Sequence, residues 1–89
     1  MLSDKILKQI KHRRKYILLS DYEHAKSILI HGGITQSQYE FYIEYYQAIV
    51  DKLQERGLVI KDGLDLKSLK TKIITSKQQY KEYLESEFL

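Results

Sequence analysis

Eighty-nine residues with a formal net charge of +3, 43% hydrophobic and 30% charged side chains, and no Cys, Pro or Trp point to one small domain. A chain of this size buries only about two thirds of its unfolded surface, so its own core is thin, and a homodimer would relieve the shortage. Without cysteine there is no disulfide and no thiolate metal site, His12, His24 and His31 lack a metal-ligand spacing, and no apolar run approaches the roughly 18 residues of a membrane span.

Lys8, Lys11 and the basic run after them interrupt any signal-peptide core, so a cytoplasmic protein without cofactor, metal or membrane partner is expected. The charge is uneven. Residues 1–30 hold seven Lys/Arg against three Asp/Glu, residues 31–63 three against five, and residues 64–89 five against four. Abundant Lys, Ile and Tyr with no Pro, Cys or Trp is the bias of AT-rich genes, which fits a virus, plasmid or other mobile element.

Ser3 is placed to cap a first helix, in which Ile6, Leu7, Ile10 and Ile17 recur at roughly helical spacing and Lys8, Lys11, His12, Arg13, Arg14 and Lys15 fill the other faces. Its end is expected near Leu19. Ser20 with Glu23 matches a capping box, and Tyr22, Ala25, Ile28 and Leu29 form an apolar stripe up to Gly32-Gly33, giving a second helix of about ten residues. The competing reading is one uninterrupted helix over 3–31, since Leu18, Tyr22, Ala25 and Leu29 keep one phase across Ser20.

Thr35 and Gln38 make a further capping box for a third helix, whose apolar face reads Tyr39, Tyr42, Ile43, Tyr46, Ile49, Val50 and Leu53 as far as a stop at Gly57. Phe41, Tyr45 and Ala48 form a second apolar strip offset from the first, a candidate partner surface. After Gly57, Leu58-Val59-Ile60 and Lys72-Ile73-Ile74-Thr75 are short and β-branched, with Asp62-Gly63 between them, so two antiparallel strands joined by a loop of about ten residues are expected. Thr75 or Ser76 then caps a last helix with Tyr80, Tyr83, Leu84 and Phe88 on one face. A single helix from Asp65 to the end is the competing reading there.

The run Gln47-Ala48-Ile49-Val50-Asp51-Lys52-Leu53-Gln54-Glu55-Arg56-Gly57-Leu58-Val59, followed by Ile73-Ile74-Thr75-Ser76-Lys77, resembles a recognition helix entering a wing, and residues 21–88 resemble a winged helix-turn-helix domain. The resemblance implies a mainly α fold with a small β-hairpin: a basic first helix over 1–19, a helix-turn-helix over 20–57, a wing over 58–75 and a terminal helix over 76–89. The alternative is an all-α bundle of three or four helices. The resemblance also implies double-stranded DNA as partner, with Thr35, Gln36, Ser37 and Gln38 nearest the base edges. Lys61, Lys67 and Lys70 of the wing and Lys8, Lys11, Arg13, Arg14 and Lys15 of the first helix would then lie on the phosphates. Glu40, Glu44, Asp51 and Glu55 make the same central helix acidic, which phosphate repels unless that face points away.

Two functional readings follow. One is a small DNA-binding regulator that dimerises through its terminal helix and the aromatic strip. The other is an all-helical adaptor or inhibitor that binds a host or partner protein through Phe41, Tyr45 and Tyr83, and the candidate interface as a whole comprises Phe41, Tyr45, Tyr80, Tyr83, Leu84 and Phe88. Catalysis is not expected: Ser20 near Asp21 and His24 reads as a cap, Glu40 and Glu44 read as a solvated pair, and there is no glycine-rich phosphate loop.

Overall fold

The computed structural model describes residues 2–74. Three helices follow in order, α1 over Asp4–His12, α2 over Lys15–His31 and α3 over Gln36–Glu55. The expected terminal helix, with Tyr80, Tyr83, Leu84 and Phe88, lies outside the described residues.

Ser3 caps α1 as its side chain allows, accepting from the Ile6 amide at 3.3 Å. The helix ends at His12 and not near Leu19, because Arg13 (φ −69°, ψ 147°) and Arg14 (φ −69°, ψ 151°) are extended. Ser20 is therefore interior to α2 and caps nothing. The uninterrupted helix over 3–31 holds only for its second part, where Leu18, Tyr22, Ala25 and Leu29 are all buried in one phase. The break comes from tertiary contacts. Arg56 donates to the carbonyl oxygens of Arg13 and, at 2.9 Å, of Lys11, which removes the acceptors that would carry the helix onward.

The Thr35 capping box forms as read: the Thr35 hydroxyl accepts from the Gln38 backbone amide at 3.2 Å while the Gln38 side-chain Oε1 accepts from the Thr35 backbone amide at 2.9 Å. Tyr46, Ile49, Val50 and Leu53 are buried, Tyr39, Tyr42 and Ile43 pack half-buried beside them, and Gly57 ends the helical hand at φ +91°. The α2–α3 hairpin closes on this stripe, where Leu18, Leu29, Ile49 and Leu53 are the largest fully buried side chains. At about 25 cal/mol per Å² of apolar area, such a layer is the main source of stability in a chain this short.

The wing is not formed. Among the described residues there is no strand, and the only β pairing is an isolated parallel bridge from Ile34 to Ile73. Over the described residues the fold is thus mainly helical, with three helices and no strand, which accords with the all-α bundle of three or four helices that stood as the alternative to a winged helix. Residues 58–74 instead run as an irregular strap across the hairpin, with Leu58, Ile60, Leu64, Leu66 and Leu69 against the core. Several of its polar groups are met by the α2–α3 hairpin and its turn, not by a facing strand. The Leu64 amide donates to the Tyr46 hydroxyl at 2.7 Å, and the Gly33 amide donates to the Lys72 carbonyl at 2.7 Å. The Ile74 amide donates to the Ile34 carbonyl at 2.8 Å, and the Thr71 hydroxyl donates to the Leu29 carbonyl at 2.8 Å. A β-branched pair of runs makes a hairpin only if each run lacks a better partner, and here the Leu58 amide bonds the Leu53 carbonyl at 3.0 Å while the second run is taken by the α2–α3 turn.

Gly32 makes that turn possible. Its φ of +70° with ψ −150° belongs to a region open almost only to glycine, and a Cβ there would sit 2.7 Å from the Lys72 amide nitrogen.

Candidate partner-binding surface

Arg13 is the centre of the junction between the three helices. Its guanidinium donates to the Tyr45 hydroxyl at 2.9 Å and to the Asp21 carboxylate, with the two side chains of the ion pair 28% and 26% exposed. The Tyr45 hydrogen bond, with help from Asp21, holds the guanidinium protonated above its ordinary range against the opposing effect of burial. Such a half-buried ion pair with a tyrosine closing it fixes geometry more than it adds stability.

Around this junction α1, α2 and α3 leave a cleft of about 260 Å³ lined by Ile6, Gln9, Arg13, His24, Phe41, Tyr42 and Tyr45. Phe41 stacks on Tyr45 with centroids 5.4 Å apart, and Tyr42 meets Phe41 edge-on at 5.2 Å and Tyr45 edge-on at 6.3 Å. Phe41 is 36% exposed, so the cluster is rigid on its inner side and open on its outer. The acidic residues of α3 flank it. Glu40, Glu44, Asp51 and Glu55 are all exposed; Gln36 donates to Glu40 and Gln47 to Asp51, while Lys52 pairs with Glu55 and both Asp51 and Glu55 line a cleft facing α1. A neutral amide leaves a carboxylate its charge, so Glu40 and Asp51 stay negative.

The residues that sequence placed at DNA divide into three groups. Arg13 is turned inward, as above. Thr35 and Gln38 are occupied in the capping box and Gln36 bonds Glu40, which leaves Ser37 exposed at the start of α3. Lys8, Lys11, Arg14 and Lys15 are exposed on α1 and at the α1–α2 junction, and Lys61, Lys67 and Lys70 are exposed along the strap, without a wing to project them. Of the partner-interface residues, Phe41 and Tyr45 are brought together. Tyr80, Tyr83, Leu84 and Phe88 fall outside the described residues.

Sequence reasoning missed Ile6, Gln9 and His24 as walls of the cleft. They come from helices whose crossing no local pattern encodes. It also missed the pairing of Lys26 with Asp62 at 3.0 Å, where Asp62 also accepts from the Tyr22 hydroxyl at 3.2 Å. Lys26 holds the Asp62 carboxyl below its ordinary range, and Asp62 holds the Lys26 ammonium above its own. Burial pushes the Tyr22 hydroxyl up, assisted by its neighbour Tyr46, whose ring stacks on it at 5.5 Å. These contacts tie the strap to the hairpin and are structural. Among the described residues no group of His, Asp or Glu is disposed to hold a metal ion, and no helix is long and apolar enough to cross a membrane.

No family model, no curated protein and no solved structure matches the chain.

Proposed function

We infer that this chain is a small helical adaptor that docks a partner protein on the Phe41, Tyr42 and Tyr45 shelf at the α1–α3 crossing. The observation that carries the reading is the pre-stacked aromatic cluster, held from beneath by Arg13 and open at Phe41. Aromatic and arginine side chains set in a rigid concavity are what binding hot spots are made of, because they give large contact area with little entropy left to lose. The exposed carboxylates of α3 beside the shelf select the partner's chemistry: an apolar anchor side chain flanked by Lys or Arg. The same acidity, with Thr35, Gln36 and Gln38 engaged within the protein, gives duplex DNA less support.

Two measurements test the reading. A photo-reactive phenylalanine analogue at Phe41 should give a discrete protein adduct that the same analogue at exposed Gln54 does not, and an added peptide with one apolar anchor among lysines should compete it away. Fluorescence anisotropy on mixed duplex DNA across a salt series should show no steep, salt-dependent binding. Adducts equal at both positions, or tight salt-sensitive DNA binding, would overturn it.

A further inference from the structure

The junction between α1 and α2 is a break that local sequence does not ask for. Neither Arg13 nor Arg14 is a helix breaker, both are good helix formers, and there is no proline anywhere in the chain. Arg14 as N-cap of α2 makes no side-chain cap bond, and the first turn of α2 has no acidic residue to meet the helix dipole. Of those first-turn amides, that of Ile17 turns back onto the Arg14 carbonyl at 3.1 Å. The C-terminal carbonyls of α1 that would satisfy them in a continuous helix are instead taken up by Arg56. Local preference thus points to one helix and tertiary contact imposes two, which is the conflict that short hinges resolve by exchanging an element between copies.

We propose that a second copy of this chain is a partner through exchange of α1: Arg13 and Arg14 turn helical, Asp4–His31 becomes a single helix of about 42 Å, and each α1 seats on the other copy's α3. The seat is known to be complementary because the chain's own α1 fills it. Ile10 is buried and Ile6, Tyr45 and Ala48 pack half-buried against the same core, with Ile6 and Tyr45 lining one cleft and Ile10 and Ala48 another. Leu7, Ile10 and Lys11 face Ala48, Asp51, Lys52 and Glu55 across an open cleft of about 410 Å³. Reciprocal exchange is isologous and closes as a dimer with no free seat. The new contact is at the hinge, where the straightened helices leave their own hairpins. The Arg13, Ile6 and Gln9 wall of the aromatic cleft then comes from the other copy. The exchange follows from the α1–α2 break, so it stands apart from the partner reading of that cleft.

The absence of native cysteine makes the test clean. The chain carrying Leu7→Cys and Asp51→Cys, one on each wall of the α1–α3 cleft, is refolded from denaturant at about 10 μM and at about 1 mM. Monomer and dimer are separated by size exclusion with light scattering, and each is treated with a short bismaleimide. The expected result is a dimer at high concentration whose crosslinks join two chains, beside a monomer whose crosslinks stay within one. Arg14→Gly is exposed and leaves the folded hinge intact, but glycine's helix penalty falls on both hinges of the dimer, so it should lower the dimerisation constant at least tenfold. Arg56→Ala, which frees the α1 carbonyls, should raise it. Monomer at both concentrations overturns the proposal, and so does a dimer that crosslinks only within each chain or one that Arg14→Gly leaves unchanged.

Discussion

Replacing Tyr46 by phenylalanine isolates the contact on which the strap depends. The ring is 2% exposed, stacks on Tyr22 at 5.5 Å and stays in place after the change, so packing is kept and one oxygen is lost. That oxygen accepts the Leu64 amide at 2.7 Å. Leaving a buried donor without a partner costs about 1–3 kcal/mol, and because Leu64 is only half-buried, the lower part of that range, about 1–2 kcal/mol, applies. For a domain of this size each kcal/mol moves Tm by about 4–8 °C, so a drop of roughly 4–16 °C is expected by thermal unfolding followed by circular dichroism. Amide exchange supplies the local readout: Leu64 should be protected in the native chain and lose protection first in Tyr46→Phe. Tyr22→Phe is the control, since it removes a donor to Asp62, a carboxylate 71% exposed that water can serve, and its cost should be well under that of Tyr46→Phe. Equal stability of Tyr46→Phe and the native chain, or a larger loss in Tyr22→Phe, would refute the argument that the strap is held by the tyrosine hydroxyl.

The other expectations concern turns, core and pH. Gly32→Ala should cost about 1–3 kcal/mol in a urea titration, from its glycine-only backbone angles and the Lys72 backbone in the way of a Cβ, whereas Gly57→Ala, with open space around it, should cost only about 1 kcal/mol. Leu53→Ala empties the fully buried centre of α3 and should lose about 2–5 kcal/mol. Because Lys26 and Tyr22 depress the Asp62 carboxyl in the folded chain, that carboxylate's contribution is complete above its unfolded pKa of about 4 and is lost as pH falls through the lower folded value. Asp62→Asn should therefore flatten the stability curve below about pH 4 and leave its shape unchanged from there up to the alkaline range in which Lys26 titrates, and a native curve already flat below about pH 4 would count against the Lys26–Asp62 contact.

How far the chain could be read beforehand depends on how local each signal is. The Thr35 and Gln38 cap, the α3 stripe and the Gly57 stop were legible because all their determinants lie within one helix. The phase of Leu18, Tyr22, Ala25 and Leu29 was legible for the same reason, yet Ser20 drew a boundary that the structure puts at Arg13. A capping serine competes with its own helix only where the helix has another reason to start, and that reason was Arg56, forty-three residues away. The wing failed on the same ground. Leu58-Val59-Ile60 and Ile73-Ile74 have strand composition, but Ile73 pairs with Ile34 and the chain between is taken up by Tyr46, Tyr22 and Leu29. Of the candidate site, Phe41 and Tyr45 were visible as an offset strip, while the inward turn of Arg13 was not, because a basic run gives no sign of which member has a carboxylate waiting on the next helix.

Tyrosine is what lets so thin a core order so much irregular chain. A phenylalanine at 22, 45 or 46 would fill the same space, but each hydroxyl meets a polar group from a different segment: Tyr46 the Leu64 amide, Tyr22 the Asp62 carboxylate, Tyr45 the Arg13 guanidinium. The first two fasten the strap and the third fastens α1, so both elements that flank the α2–α3 hairpin are tied to it by rings whose bodies belong to the core. The two attachments differ in what water can replace. The Leu64 amide donates to a hydroxyl on a ring only 2% exposed, whereas Arg13 and Asp21 each keep about a quarter of their side chain exposed and find water when Tyr45 lets go. On that difference the strap should open only with the hairpin, and α1 should detach before it, which hydrogen exchange at Ile10 and Leu64 can order: earlier exchange at Leu64 would reverse the hierarchy and remove the physical basis for an α1 that leaves its own chain.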